Sequence, residues 1–287
     1  MKPNVTAGLG SGLLGVIIFS GSLPATRLAV ADFPPVFLTS ARAVIAALLG
    51  AACLLALRQK APGRRDLGAL ILVAGGVVVG FPLLTALALQ RITAGHSVVF
   101  VGLLPLATAC FGVLRGGERP GAAFWLFSLA GAAVVAGFAL HGSGGGEPLG
   151  DALMVAAILT CGLGYAEGAT LSRRLGGWQV ISWALLLSLP FMTATALITL
   201  PETWRAASFS AWSGLAYVSV FSMMVGFIFW YRGLALGGIS GVGQLQLLQP
   251  FFGLLLAAVF LGEPVAWSMI ASAAAVVACV AGAKRFA

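Results

Sequence analysis

Two glutamines in the second half of the chain carry side chains suited to binding a polar solute. Gln246 and Gln249 are three residues apart in an apolar stretch, so on an α-helix they share one face. Pro250 follows them, and a proline inside a helix leaves one carbonyl without its hydrogen-bond donor. Amides and a free carbonyl are unfavourable against hydrocarbon, so this face must meet protein or water. The pattern predicts either a polar binding site or hydrogen bonds between helices.

Three ionisable side chains also fall inside long apolar stretches. A buried Arg42 costs about 3 kcal/mol, so it either has a function, pairs with another group or extends toward the membrane surface. Glu167 either pairs with the basic edge at Arg173 or titrates within a substrate or proton site. His96 lies near the start of its stretch, where it is either a hydrogen-bonded interface residue or a substrate ligand. Glu167 and His96 are therefore the candidates for proton coupling.

Hydroxyl and aromatic side chains complete the predicted binding surface. Trp183 and Tyr217 lie deep in their stretches, whereas the other tryptophans lie mostly at stretch ends, as interfacial anchors do. Together with Phe100, their rings would contact the apolar part of a ligand. The predicted substrate-binding residues are Ser20, Arg42, His96, Phe100, Tyr165, Trp183, Tyr217, Gln246 and Gln249.

The same residues argue against catalysis and against a metal or cofactor. Aspartyl chemistry needs two facing carboxylates, but Asp32, Asp66 and Asp151 all lie at the ends of apolar stretches, and no His-Glu-x-x-His pair exists. The segment HGSGGGEP lacks the Gly-Lys-Ser/Thr ending of a phosphate-binding loop, so it is expected to be a flexible linker. The four cysteines have no ligand spacing and are expected to pack as small apolar residues: Cys53, Cys110, Cys161 and Cys279.

Composition identifies the elements that must position these groups. Of 287 residues, 60% are hydrophobic and only 8% are charged, which is not the balance of a water-soluble domain. Segments of about 20 apolar residues can cross a membrane as helices. Ten are predicted, approximately at residues 7–30, 36–57, 67–89, 94–114, 121–140, 152–172, 179–200, 211–231, 239–261 and 265–283.

The net charge of +8 does not indicate a nucleic-acid partner, because the basic residues follow the predicted topology. With the N-terminus inside, twelve lysines and arginines fall in cytoplasmic segments and three on the opposite side, while Arg42 lies within a span. An excess of positive charge in short loops marks the cytoplasmic side. Both termini are therefore predicted to be cytoplasmic.

An internal repeat organises the ten predicted spans. Pro105 and Pro250 lie 145 residues apart, and each is followed twelve residues later by the start of a Gly-Glu pair, Gly117-Glu118 and Gly262-Glu263. The repeat predicts two homologous halves, residues 1–140 and 151–287, joined by a linker at 141–150. Each half has five spans, an odd number, so the second half would enter the membrane from the opposite side.

The first residues also resemble a signal peptide, because Lys2, an apolar run and Ala29-Val30-Ala31 imitate its three regions. Cleavage after residue 31 would leave the first half one helix short of the second. The repeat therefore favours retention of this segment as the first span.

Two copies of the pattern L-x6-11-[ST]-x-(apolar run)-P-(apolar run)-GE resemble the bacterial metabolite exporters with tandem EamA domains, in the drug/metabolite transporter superfamily. The resemblance covers essentially the whole chain and is greatest to the aromatic and neutral amino-acid exporters. It implies a ten-helix bundle in which helices one to four and six to nine surround a central cavity, with five and ten peripheral. The first span lacks the acidic residue of cationic-drug antiporters, and phosphorylated substrates are disfavoured because Arg42 is the one buried cation.

The sequence thus predicts an all-α membrane protein of ten transmembrane helices in two inverted five-helix repeats. The predicted function is export of small metabolites, chiefly aromatic and neutral amino acids, across the bacterial inner membrane by alternating access. A passive uniporter or channel, or an exporter of drugs or other metabolites, is the alternative. The predicted partners are a small-molecule substrate and membrane lipid, with the protein a monomer or weak dimer. The predicted hinges are Pro24, Pro82, Pro105, Pro190 and Pro250.

Overall fold

The computed structural model describes residues 5–116, 121–141, 147–237 and 244–285, and the regular secondary structure in these ranges is entirely helical. The α-helices are α1 (Val5–Ser20), α2 (Ser22–Ala29), α3 (Pro35–Ala56), α4 (Leu67–Val73), α5 (Phe81–Ala88), α6 (Ala94–Val101), α7 (Leu104–Gly116), α8 (Ala122–His141), α9 (Pro148–Leu175), α10 (Gly177–Ile198), α11 (Phe209–Ala216), α12 (Gly226–Gly237), α13 (Gln249–Leu261) and α14 (Trp267–Arg285). Short 3₁₀ turns occupy Arg64–Asp66, Trp204–Ala206 and Gln244–Leu248. Two π-helical segments, Ala74–Gly80 and Tyr217–Val225, join α4 to α5 and α11 to α12.

In the part of the chain that the structure describes, seven helical stretches are long and apolar enough to cross a membrane: Thr6–Ala29, Pro35–Ala56, Arg64–Ala88, Ala94–Leu114, Pro148–Ser172, Gly177–Ile198 and Phe209–Trp230. Within the described residues, three further apolar helices are shorter: Ala122–Phe138, Leu245–Leu261 and Trp267–Gly282. These stretches correspond in order to the ten predicted ones, although three fall below the predicted length of about 20 residues.

The sixth predicted stretch begins earlier than expected. Helix α9 starts at Pro148, inside the segment predicted as linker, rather than at residue 152. Proline is favoured in the first turn of a helix because its missing N–H is not needed there, and the acidic Asp151 complements the helix dipole in the same turn. Asp151 therefore belongs to the membrane helix and not to the loop before it.

The helices carrying the two repeat-related prolines restart at matching positions. Helix α7 begins at Leu104 and α13 begins at Gln249, 145 residues later, and Pro105 and Pro250 are the second residues of these helices. The apolar helical stretches predicted around these prolines are present as Ala94–Leu114 and Leu245–Leu261, but each contains a local break, and the regular α-helix restarts one residue before the proline. The reason is that proline cannot donate the backbone hydrogen bond that a helix interior requires, whereas the first turn does not require it.

The other predicted hinge prolines differ in their effect on the backbone. Pro24 lies in α2, three residues after Gly21 separates it from α1. Pro82 is the second residue of α5, and α5 directly follows a π-helical segment. Pro190 lies inside α10, which continues on both sides of it. The structure therefore has backbone irregularities near Pro24 and Pro82, and a continuous helix at Pro190.

The two π-helical segments also obey the repeat. Their first residues, Ala74 and Tyr217, are 143 positions apart, and their last residues, Gly80 and Val225, are 145 apart. A π-helical segment inserts an extra residue into a helix and is often found at functional sites. The fold thus repeats local backbone distortions as well as helix order.

Helix packing has the same two-fold pattern. Helix α1 packs along α12, and its counterpart in the second half, α9, packs along α4 and α5. Helix α3 packs on α10, α6 on α13 and α8 on α14. Counted by apolar stretch in chain order, these contacts pair the first with the eighth, the third with the sixth, the second with the seventh, the fourth with the ninth and the fifth with the tenth, and exchanging the two halves leaves this set unchanged. Glycines permit the closest approaches: a Cβ at Gly76 would lie 2.4 Å from the carbonyl oxygen of Thr160 on α9.

The buried apolar side chains form two clusters, and each cluster combines residues from both halves of the chain. The first includes Phe33 and Phe100, and the second includes Leu70 and Ile181. Tyr165 on α9 packs against both clusters, so the region around this side chain is where they meet.

Candidate functional site

A cavity of about 480 Å³, counting the space open to solvent, is lined by residues of both halves. The first half contributes from α1, α2, α3, the first π-helical segment, α5, α6 and α7, and the second half contributes from α9, the second π-helical segment, α12 and α13. The lining residues are Phe19, Ser22, Leu23, Arg42, Val77, Phe81, Pro82, Val101, Leu104, Cys161, Tyr165, Ser222, Met223, Phe227 and Gln249.

Irregular backbone brings several of these residues to the cavity. Val77 lies in the first π-helical segment and Ser222 in the second, while Leu104 and Gln249 are the first residues of α7 and α13. Ser22 follows the break at Gly21. Broken helices in membrane proteins are tolerated where they are buried in protein or line a water-filled cavity, since the freed backbone groups find partners there.

A small polar cluster occupies one part of the cavity. The hydroxyls of Ser22 and Ser222 are hydrogen-bonded at 2.7 Å, and Arg42 Nη2 donates to Ser222 Oγ at 3.4 Å. Arg42 is only 5% exposed. Near the cluster, Ser20 Oγ lies 2.7 Å from the Val16 carbonyl oxygen and 3.4 Å from that of Gln249. The second half therefore contributes Ser222 to the cluster, and the Gln249 backbone lies near it against Ser20.

Aromatic rings form much of the remaining wall. Phe19 and Phe227 meet edge to face with ring centroids 5.0 Å apart, and Tyr165 meets Phe227 at 6.2 Å. Phe81 adds a fourth ring. A concave, mainly apolar surface with a few convergent polar groups is the usual composition of a small-molecule site.

The described part of the cavity wall offers charge and hydrogen bonds but no catalytic constellation. Arg42 is its cation, and no carboxylate or histidine is among the lining residues. Among the residues that the structure describes, no group of three His, Cys, Asp or Glu side chains could hold a metal ion. The arrangement can bind a solute, and it lacks a described acid–base pair that could transform one.

Comparison with known proteins identifies the family. Two segments of the chain, residues 6–140 and 148–283, match the EamA-like transporter family. The chain belongs to this family. It is 64% identical over 282 residues to the "Uncharacterized transporter YdeK" of Bacillus subtilis (strain 168), and the match covers 98% of each chain. A solved crystal structure shares the fold, with a TM-score of 0.67 and 20% sequence identity over 99% of this chain and 100% of the other.

The EamA-like transporter is therefore a multi-pass membrane protein with two EamA domains, and it is a transporter rather than an enzyme. The resemblance inferred from the proline and Gly-Glu repeat is confirmed at the level of the family. The finer resemblance to the amino-acid exporters stays a prediction.

Three of the predicted binding residues line the cavity of the transporter: Arg42, Tyr165 and Gln249. Two others lie beside it. Ser20 is buried next to the Gln249 backbone, and Tyr217 donates its hydroxyl proton to the carbonyl oxygen of Ile18 at 2.8 Å. Tyr217 thus fastens the second π-helical segment to α1, close to the break at Gly21.

His96 and Phe100 are not among the cavity-lining residues. The imidazole of His96 is fully buried, and its Nε2 lies 2.8 Å from Asp151 Oδ1 at the start of α9. The rings of Phe100 and Phe138 lie 5.7 and 4.6 Å from it, centroid to centroid. Asp151, which the sequence placed at a span end, is the buried partner of this histidine.

The remaining predicted residues also lie outside the cavity lining. Trp183 on α10 is partly buried against the second apolar cluster. Gln246 is buried, and its Nε2 atom has no hydrogen-bond partner in the described structure. Because Gln246 belongs to a 3₁₀ turn while Gln249 begins α13, the two amides do not share a regular α-helical face. Glu167 is buried on α9.

Sequence analysis missed several lining residues that the repeat could have supplied. Three pairs line the cavity from positions 145 residues apart: Val77 with Ser222, Pro82 with Phe227, and Leu104 with Gln249. Adding the repeat offset to the residues around Pro82 and Pro105 would have found Ser222 and Phe227. The cavity therefore uses equivalent positions of the two halves.

The second Gly-Glu pair has a role at the start of α6. The carboxylate of Glu263 accepts hydrogen bonds from the backbone N–H groups of Ala94 at 3.0 Å and Gly95 at 2.8 Å. These N–H groups lack partners within their own helix, and an anion at this end is favoured by the helix dipole. Gly262 precedes it with a φ of 64°, a backbone conformation that favours glycine. The pair Gly117-Glu118 lies outside the described residues.

Proposed function

We propose that this EamA-like transporter is a secondary exporter of small metabolites, in particular aromatic and neutral amino acids, that works by alternating access across the bacterial inner membrane. Both termini are cytoplasmic in this proposal, as the excess of arginine and lysine in alternate loops indicates. The substrate binds in the cavity between the halves, where Arg42, Tyr165, Gln249, Ser22 and Ser222 contact it.

The observation that carries the proposal is the use of equivalent positions in the two halves to build one cavity. Val77 and Ser222, Pro82 and Phe227 line it in pairs, and the helices around it break at matching residues. Two inverted halves that share a site can exchange conformations, which opens the same site to one side and then to the other. A channel has no need of such exchange.

The chemistry of the wall supports amino acids with apolar side chains. Rings at Phe19, Phe81, Tyr165 and Phe227 suit an aromatic or aliphatic body, and the hydroxyls and Gln249 supply neutral hydrogen bonds. A single cation does not suit a phosphate group, which carries up to two charges and usually meets several cationic groups.

Counterflow in proteoliposomes tests the proposal. Vesicles containing the purified protein are loaded with one unlabelled solute and diluted into the radiolabelled solute, across a panel of aromatic, neutral and charged amino acids, sugars and cationic drugs. We expect transient accumulation above equilibrium for aromatic or neutral amino acids. Equal flux with and without internal solute would indicate a channel, and counterflow confined to sugars or drugs would overturn the substrate class.

Two glutamine variants test the position of the site. Gln249→Leu should abolish counterflow, because it removes an amide from the cavity wall. Gln246→Leu is the matched control: it should keep counterflow and fold at least as well, because the amide it removes is buried with an unpartnered Nε2. Loss of counterflow in Gln246→Leu, with counterflow kept in Gln249→Leu, would place the site at Gln246 instead.

Proton coupling is proposed to involve Glu167 or His96. The test compares uptake driven by an imposed pH gradient in the wild type and in Glu167→Gln and His96→Asn. Loss of gradient-driven uptake, with counterflow retained, would identify the coupling residue. Gradient-driven uptake that survives both substitutions would exclude both residues.

A further inference from the structure

The guanidinium of Arg42 is a buried charge without a described counter-ion. The side chain is 5% exposed, and among the residues that the structure describes no carboxylate lies within salt-bridge distance of it. A guanidinium has five N–H donors. Here Nη2 donates one hydrogen bond to Ser222 at the long distance of 3.4 Å, and Nε has no partner.

Such a cation is unstable unless something supplies the opposite charge. Removing a charge from water is costly, and one partner of a buried ion pair left alone is strongly destabilising. Arg42 lines a cavity that reaches solvent, so water can hydrate it while the site is empty. An anionic group that replaces this water gains both the charge attraction and hydrogen bonds to the planar N–H fork.

The groups around Arg42 match a carboxylate and offer nothing charged to an ammonium. Ser22 and Ser222 share one hydrogen bond, so the pair retains one O–H group that can donate a hydrogen bond to a carboxylate oxygen. The described cavity lining contains no acidic residue. An ammonium group in this cavity would find only neutral acceptors, such as the amide oxygen of Gln249.

We propose that Arg42, with Ser22 and Ser222, binds the carboxylate of the substrate, and that the amino group makes little contribution to binding. The preferred ligands are then organic monocarboxylates with an apolar or aromatic body, and amino acids bind through the same carboxylate. This inference rests on the proposed function, since it assigns the chemistry of the same site.

Three probes with the same phenyl body separate the two groups: phenylalanine carries both charges, 3-phenylpropionate only the carboxylate and phenethylamine only the ammonium. Their binding to the full-length protein in detergent is measured by isothermal titration calorimetry. We expect 3-phenylpropionate to bind at least as tightly as phenylalanine, and phenethylamine not to bind. Binding of the amine as tight as that of the carboxylate, or no binding of 3-phenylpropionate, would overturn the inference.

Substitutions at Arg42 provide the second arm. Arg42→Gln should weaken 3-phenylpropionate binding by about 10- to 100-fold, as expected for loss of a charge-assisted hydrogen bond. Arg42→Lys keeps the charge but not the fork, so it should retain part of the affinity. Arg205→Gln makes the same change of net charge at an exposed position outside the cavity and should leave binding unchanged. Unchanged affinity in a folded, monodisperse Arg42→Gln protein would refute the assignment.

The two proposals fail in different ways. Carboxylate binding without counterflow would overturn the transport mechanism and leave the Arg42 assignment standing. Counterflow of amino acids, together with phenethylamine binding as tightly as 3-phenylpropionate, would overturn the Arg42 assignment and leave the transport mechanism standing.

Discussion

The contact between the first π-helical segment and α9 provides a quantitative test of the packing that forms the cavity wall. A Cβ at Gly76 would lie 2.4 Å from the carbonyl oxygen of Thr160 and 3.1 Å from the Cα of Gly164. Both are backbone atoms of α9 and cannot rotate away. Gly76→Ala should therefore push α9 outward by about 1 Å, since non-bonded carbon atoms prefer separations of about 3.5–4.0 Å.

The neighbouring glycine supplies the control. A Cβ at Gly75 would have no heavy atom within 4 Å, and Gly75 lies in the same π-helical segment. The change in backbone propensity from glycine to alanine, about 1 kcal/mol, is nearly the same at both positions and cancels in the comparison. The difference in unfolding free energy between Gly76→Ala and Gly75→Ala then reports the steric cost, which is about 1–3 kcal/mol for an overpacked site.

Thermal unfolding in detergent measures this difference. At about 2–4 °C for each kcal/mol, Gly76→Ala should melt roughly 2–12 °C below Gly75→Ala. Counterflow should fall as well, because α9 carries Cys161 and Tyr165 into the cavity opposite Val77. Equal melting temperatures for the two variants would refute the close helix contact. If Gly76→Ala nevertheless lost transport, its effect on function would have a cause other than this steric overlap.

Two further predictions concern the carboxylates that hold loops to helix ends. Glu263→Gln should lower the free energy of unfolding by about 1–2 kcal/mol, because it removes charge from the hydrogen bonds to Ala94 and Gly95. Glu147→Gln should lower it by less than about 1 kcal/mol, because the ion pair of Glu147 with Arg91 is exposed. Equal losses of the two variants in chemical denaturation would contradict this. Hydrogen bonds from the side chain and backbone of Ser208 hold the pKa of Asp32 below its ordinary value of 3.8, so their stabilisation is fully present above pH 3.8 and is lost as the pH falls through the lower, folded-state pKa. Asp32→Asn should therefore lower the melting temperature at neutral pH, and this deficit should shrink as the pH falls below 3.8; a deficit independent of pH would show that the charge is not involved.

The position and order of the apolar helical stretches could be predicted from the sequence because these stretches are long and their boundaries are polar. Whether a helix continues through its proline or begins beside it could not be predicted. Pro190 lies inside a continuous α10, whereas Pro250 is the second residue of a new helix. Both are prolines in apolar stretches, so the apolar pattern alone does not distinguish the two outcomes. The π-helical segments likewise have no local signal, although the repeat relates one to the other.

The sequence assigned the candidate side chains to apolar stretches, but it did not indicate which face of each helix they occupy. Arg42 and His96 both lie inside apolar stretches, yet Arg42 lines the cavity and His96 faces Asp151. Helices that are apolar on every side give no periodicity from which to choose the face that meets a cavity. The internal repeat would have been the stronger guide, because Ser222 and Phe227 line the same cavity as Val77 and Pro82, their counterparts in the first half.

The central claim is that one cavity between the halves opens to each side of the membrane in turn. Ser222→Cys, in a variant whose four native cysteines are replaced and which still transports, places a single thiol in the cavity wall. Oriented vesicles are treated with a membrane-impermeant maleimide from one side at a time. Alternating access predicts labelling from either side, slowed in both cases by transported substrate. Labelling from one side only while counterflow proceeds would contradict it.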